Sequence, residues 1–303
     1  MTGTFRTAVV RTPNGPDAIE IIDVPVTEPG PGQIRVAVAG AGVNPVDLGV
    51  ADGFFHDLGL IRQPEHTGLG WDFSGTVAAV GAGVTLPVGT RVAGIVPGFD
   101  RDYGTYAEQL IVPAADVAEV PAALDLVAAA SLPLNALAAA QLLDLLGDAP
   151  DGGRLLVTGA AGAVGGHLAV LAPARGWRVT GLARAEDEQF VRDLGVEFTT
   201  DAEPGFDAVG DAAALQAAAL PYVRDGGVLV GVRPNLAPPA ERGITVSAVE
   251  TRPDGSRLAD LLNRAATGEL RTRVHAILPL DHAADAHRAV AKGGVRGKYV
   301  LRP

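Results

Sequence analysis

Cysteine is absent from the 303 residues, and methionine occurs once. The first absence excludes disulfides, cysteine-ligated zinc, iron–sulfur clusters and thiol catalysis. Basic residues are the minority, with Lys+Arg 24 against Asp+Glu 35 and a formal net charge of −11. That balance argues against non-specific nucleic-acid binding and against a polybasic membrane patch. Residues 1–20 lack a continuous apolar stretch and carry Arg6, Arg11, Pro13, Pro16, Asp17 and Glu20, so no secretory leader is expected. Charge is missing for 18 residues from Leu126 to Leu143, which touches the lower limit for a membrane span. This run is rich in alanine and leucine and is interrupted by Ser131, Pro133, Asn135 and Gln141, which points to a buried segment of a soluble, cytoplasmic protein. Aromatic residues make up only 5%, so the gathering of Phe54, Phe55, Trp71 and Phe99 in the first third stands out. These four suit either the wall of an aromatic-tolerant pocket or a core.

What is present is an ordinary globular composition, 48% hydrophobic and 19% charged, at a length that suggests two domains. The first 120 residues have the texture of short strands. Thr7–Val10, Glu20–Val24, Gln33–Ala39, Gly75–Val80 and Arg91–Ile95 are separated by turn signals such as Pro13-Asn14-Gly15 and Pro29-Gly30-Pro31-Gly32. A small barrel or sandwich is expected there. Near Pro121 alanine and leucine take over, and Pro133 should break or kink the helix they form. Strands at Arg154–Thr158, Trp177–Leu182, Phe206–Val209, Gly227–Gly231 and Ile244–Ala248 then alternate with helices, the pattern of a parallel sheet covered on both faces. One of these helices, Ala163–Ala174, should be kinked by Pro173. Near Arg271 the mixed texture returns, with strands at Val274–Leu280 and Lys298–Arg302 around a helix at Asp281–Ala291.

The most informative segment runs from Leu155 to Gly165, where an apolar strand enters Thr158-Gly159-Ala160-Ala161-Gly162-Ala163-Val164-Gly165 and then a helix. The glycines are three apart, GxxGxxG. They allow a sharp turn and a close approach of the backbone to a diphosphate, while the helix N-terminus offers amides and partial positive charge. The alternative is a tight packing turn with no ligand. An acid near the end of the next strand would hold the 2′-hydroxyl of NAD. Here that strand ends Leu182-Ala183-Arg184, and an arginine suits a 2′-phosphate, so NADPH is the expected cofactor. Glu186-Asp187-Glu188 would oppose it if turned inward.

In order along the chain come Gly42-Val43-Asn44-Pro45-Val46-Asp47, Gly70-Trp71-Asp72-Phe73-Ser74-Gly75-Thr76-Val77, Val88-Gly89-Thr90-Arg91-Val92-Ala93-Gly94, Gly104-Thr105-Tyr106-Ala107-Glu108, the glycine turn, and Gly297-Lys298-Tyr299-Val300-Leu301. Through them the chain resembles the zinc-independent medium-chain dehydrogenase/reductases of the quinone oxidoreductase subfamily. The resemblance implies an α/β fold: a GroES-like β-barrel domain (1–120 and 271–303) and an inserted Rossmann doubly wound parallel-sheet domain (121–270). It puts Asn44 where zinc-dependent relatives have a cysteine and Trp71-Asp72 in their Gly-His-Glu position, so no metal is expected. It implies hydride transfer to a quinone or enone, an acceptor electron-poor without Lewis-acid help.

The resemblance places Asn44 beside the nicotinamide, although Asn44-Pro45 also makes an N-cap and N1 pair for a short helix. Asp47, one turn later, is expected to brace the backbone. Where relatives carry a tyrosine this chain has Phe54-Phe55, so Tyr103 is the substitute candidate acid. The cofactor is expected to meet Asn44, Gly159, Ala161, Gly162, Ala163, Val164, Gly165, Ala183, Arg184, Gly231, Val232 and Arg233, with Lys298 either reaching its phosphate or only snorkelling. A homodimer through Ile244–Ala248 is implied as well. An enoyl reductase tailoring a polyketide is the near alternative, and a non-catalytic NADPH-binding sensor or scaffold the distant one.

Overall fold

The computed structural model describes residues 3–303, which divide into two compact units. Unit 1 comprises Met1–Leu134 with Pro253–Pro303, and unit 2 is Asn135–Arg252. The first unit opens with β1 (Thr4–Val10), β2 (Ile19–Pro25) and β3 (Gln33–Gly42). The short helices α1 (Pro45–Ala51) and α2 (Phe54–Asp57) follow, then β4 (Thr67–Gly68), β5 (Asp72–Val80), β6 (Arg91–Ile95), β7 (Gln109–Pro113), β8 (Val117–Glu119) and α3 (Leu126–Ala129). Next come α4 (Pro133–Leu146) and the strands of unit 2: β9 (Arg154–Thr158), β10 (Arg178–Leu182), β11 (Glu197–Thr199), β12 (Phe206–Asp211), β13 (Val223–Gly231) and β14 (Thr245–Ala248). Helices α5 (Ala163–Leu171) and α6 (Glu188–Arg192) lie among them. The chain then returns to unit 1 as α7 (Gly255–Ala266), β15 (Val274–Pro279), α8 (Ala283–Lys292) and β16 (Lys298–Arg302).

Among the described residues, unit 1 holds a three-stranded sheet, β2-β1-β4, and a seven-stranded sheet ordered β15-β16-β3-β5-β6-β8, with β7 also pairing β3. Alternation along β3 turns Ile34 and Val36 inward onto Phe73, Val77, Val92 and Val112. Pairing of β3 with both β5 and β16 puts Gly42 opposite Asp72 on one side and Val300 on the other.

Unit 2 is a six-stranded sheet, β11-β10-β9-β12-β13-β14, and every pairing in it is parallel. Its central strand β9 buries Leu155, Leu156 and Val157 completely, as a strand covered on both faces must. The order reverses between β9 and β12, so the sheet has a switch point at the carboxyl end of β9.

The units divide at other residues than the change of texture suggests. Residues 121–134 and 253–270 pack with the first unit, because α3 lies on β3 and β5 and α7 lies on β8. Helical composition marks where helices form, and the sheet they cover is set by tertiary contact. The apolar stretch Leu126–Leu146 is long enough to cross a membrane by composition, yet 72% of its window is buried inside the protein.

Candidate active site and cofactor turn

Helix α1 starts as its sequence dictates. Asn44 is its N-cap with extended backbone, Pro45 takes the first helical position, and the Asn44 amide donates to Asp47 Oδ2 at 2.8 Å. Asp47 therefore braces the backbone as expected.

The Asn44 side chain is held from three directions. Its Nδ2 donates to Asp72 Oδ2 at 2.7 Å and to the Gly42 carbonyl at 3.3 Å, while its Oδ1 accepts from Lys298 Nζ at 2.6 Å. Lys298 also donates to Asp72 Oδ2 at 2.5 Å, and Asp72 Oδ1 accepts the Leu134 amide. Both N–H bonds of the Asn44 amide are thus engaged within the protein, and what Asn44 fixes is the position of its neighbours. Lys298 neither snorkels nor belongs to unit 2. It is 6% exposed and is the cation that the Asn44 and Asp72 oxygens hold.

A second buried chain leads away from the same helix. Tyr106 Oη lies 3.0 Å from Asp47 Oδ2 and 3.3 Å from His287 Nε2. The phenol donates to the carboxylate, so the imidazole must carry its hydrogen on Nε2 to complete the chain. Burial pushes Asp47 up to about 6, against the pull of the Asn44 amide, the Tyr106 hydroxyl and Arg101. Burial also raises Tyr106 well above the usual phenol range and lowers His287 to about 4. Arg101 donates to the Val96 and Gly70 carbonyls and stands 5.9 Å over the Trp71 ring. Desolvation brings it down to about 10, against the charge of Asp47.

Tyr103 lies elsewhere, 42% exposed with its ring 5.6 Å from that of His66. The buried phenol of this unit is Tyr106. The sequence motifs contain Tyr106 and Asp72 without giving either a role in the site, and nothing singled out His287; the one signal was Asp72, an acid at the head of an apolar strand. The aromatic gathering is one contiguous cluster, with Phe55 stacked on Phe99 at 3.8 Å, Phe54 edge-on to Phe55 at 5.1 Å and Trp71 tilted against Phe99 at 5.5 Å. Phe54, Phe55 and Phe99 pack with the core of unit 1, and Trp71 is half-buried.

In unit 2 the predicted glycine turn follows β9 and ends at Gly162, the N-cap of α5. Gly159 has φ +60°, and a Cβ at Gly165 would fall 2.3 Å from the Gly159 carbonyl oxygen, so both positions require glycine. Thr158 Oγ1 donates to Asp211 Oδ1 at 2.6 Å and accepts the Ala213 amide at 3.0 Å, tying the turn to the loop after β12. Asp211 further accepts the amides of Leu215 and Gln216. Gly159, Ala161, Gly162, Ala163, Val164 and Gly165 are brought to the same sheet end as Ala183 and Arg184 after β10, and Gly231, Val232 and Arg233 at the end of β13. The cradle fits a diphosphate: its backbone is bare, and the first-turn amides of a nine-residue helix have no intrahelical acceptor. Arg184 is exposed and stands 3.8 Å from Glu186 in an ion pair.

Residues 30–122 match the alcohol dehydrogenase GroES-like domain, and residues 187–301 match the zinc-binding dehydrogenase model. The chain is 31% identical, over 90% of its length, to the pikromycin polyketide synthase component PikAII of Streptomyces venezuelae, and spans 8% of that protein. It is 28% identical to a 2-haloacrylate reductase of Burkholderia sp, with 98% of each chain covered. The quinone oxidoreductase structure from Coxiella burnetii superimposes with a TM-score of 0.87 over 99% of both chains at 24% identity, a likeness of fold.

Proposed function

The chain belongs to the zinc-independent medium-chain dehydrogenase/reductases, in their quinone oxidoreductase-like branch, and on that footing we propose that it is an NADPH-dependent reductase of quinones or α,β-unsaturated carbonyls. The observation that carries this reading is the bare glycine cradle at the switch point of the parallel sheet, where β9 gives way to α5. A reduced nicotinamide supplies a hydride when bound there. The chain's own residues bind and orient it. The amides of Ala163, Val164 and Gly165 meet the diphosphate, Arg184 meets the 2′-phosphate, and the run Gly231-Val232-Arg233 offers backbone to the other end of the dinucleotide.

The acceptor class follows from chemistry and from the relatives. A haloacrylate is a conjugated acid, and its reductase is similar over nearly the whole chain. The similarity to a polyketide synthase component over 90% of this chain favours, as a second reading, an enoyl reductase that acts on a polyketide intermediate. We further propose a cytoplasmic homodimer joined through the edge strand β14, with no nucleic-acid or membrane partner.

Stopped-flow oxidation of NADPH against separate panels of quinones and enones tests this. Turnover with at least one panel is expected, with NADPH bound more tightly than NADH. Arg184→Ala should weaken NADPH by roughly tenfold and leave NADH unchanged. NADPH binding without reduction of any acceptor would make the protein a non-catalytic binder, and preference for NADH would end the assignment of Arg184.

A further inference from the structure

Lys298 is the one group of the Asn44–Asp72–Lys298 cluster that keeps an unengaged donor. Its ammonium carries three N–H bonds, and two point at Asn44 Oδ1 and Asp72 Oδ2. Asn44 has both amide hydrogens engaged, and Asp72, fully buried, only accepts. Burying an ammonium with a carboxylate is a poor stabilising device in itself, since desolvation opposes the attraction. The fold nevertheless makes room for it. A Cβ at Gly42 would lie 2.9 Å from Lys298 Cε and 2.7 Å from the Ala130 carbonyl oxygen, so the lysine stem passes over a bare backbone. The head is then fixed on two oxygens carried by separate segments, at the start of α1 and the head of β5. A cation so fixed is preorganised to receive developing negative charge.

We propose that Lys298 is the donor that holds the carbonyl oxygen of the acceptor during reduction, with Asn44 and Asp72 as its positioning residues. This rests on the reductase reading above. Addition of hydride at the β-carbon breaks the C=C π bond and moves its electron pair through the α-carbon onto the carbonyl oxygen. The enolate oxygen accepts the third N–H of Lys298. A proton from water then completes the α-carbon and leaves hydroxide to the solvent, the carbonyl re-forms, and the two electrons gained are those lost by the reduced nicotinamide.

The test compares wild type with Lys298→Arg, Lys298→Met and the double variant Lys298→Met/Asp72→Asn, which leaves no buried charge unpaired. Two readouts are used: NADPH turnover with the enone panel, and ionisation of bound 4-nitrophenol, an unreactive mimic of the enolate oxygen followed by its phenolate absorption. Wild type should bind the phenolate. The double variant should bind NADPH within about twofold of wild type, lose roughly 100-fold or more in kcat and bind the probe as the neutral phenol. Lys298→Arg should recover the phenolate. An unchanged kcat and phenolate fraction in the double variant, or wild type that binds no phenolate, would overturn the proposal. So would a loss of NADPH affinity that accounts for the defect, because the lysine would then serve the cofactor. If wild type ionises the probe but reduces no acceptor, the reductase reading fails and the oxygen-donor role of Lys298 falls with it, whereas turnover that survives in the double variant sinks the lysine and leaves the reading intact.

Discussion

Tyr103 and Tyr106 stand close in sequence and meet opposite surroundings, one exposed and one fully buried between Asp47 and His287. Removing the Tyr106 hydroxyl leaves a buried carboxylate with one fewer donor. Tyr106→Phe should cost about 1–3 kcal/mol in chemical denaturation, while Tyr103→Phe should stay within about 0.5 kcal/mol. The two ends of this chain respond to pH with opposite sign. His287 is lowered from 6.5 to about 4, so the stability of its neutral form is full above 6.5 and is lost as pH falls towards 4. Asp47 is raised from 3.8 to about 6, so its contribution is full below 3.8 and is lost as pH rises through 6. At about 1.4 kcal/mol per unit each is worth about 3 kcal/mol, and between pH 4 and 6 they nearly cancel. Asp47→Asn removes one arm. Urea melts of this variant should show about 3 kcal/mol lost, relative to wild type, between pH 6.5 and pH 4, whereas parallel profiles would refute the opposition.

At the scale of elements, much was legible in the sequence because local chemistry decides it. The apolar run Arg154–Thr158, the Asn44-Pro45 helix start and the terminal strand Lys298–Arg302 form where pattern and caps place them. The prolines are more instructive. Pro133 breaks the helical stretch as expected: α3 ends at Ala129 and Pro133 begins α4, since a residue without an N–H costs nothing in a first turn. Pro173 does not kink a continuing α-helix. The α5 hydrogen bonding ends at Leu171 and a 3-10 turn, Ala172–Arg175, takes over. The glycine turn was legible for the same local reason, being one strand, one turn and one helix. The cluster around Asn44 was not, because Asp72 and Lys298 lie 28 and 254 positions away and meet Asn44 only through the pairing of β3 with β5 and β16. Gly231 gives the cradle an element-level test. A Cβ there meets nothing within 4 Å, so Gly231→Ala should melt as wild type does while weakening NADPH severalfold, and equal affinity would remove β13 from the cofactor site.

For the whole molecule, the decisive feature is that the chain leaves unit 1, builds a complete parallel sheet and comes back. The returning strand β16 completes the first sheet between β15 and β3 and delivers Lys298. Truncation after Gly297 should therefore abolish cooperative unfolding of unit 1, measured by calorimetric melting, because it removes an interior strand, strips β15 of its partner and leaves Asp72 buried without its cation. The inserted unit carries the claim on which the functional account depends, that a dinucleotide diphosphate docks on the Gly159–Gly165 turn. Isothermal titration of NADPH into wild type and Gly165→Val tests it most directly. Saturable heat with wild type that disappears in the folded variant is the expected result. No heat with wild type, or equal heat with both proteins, would contradict the account.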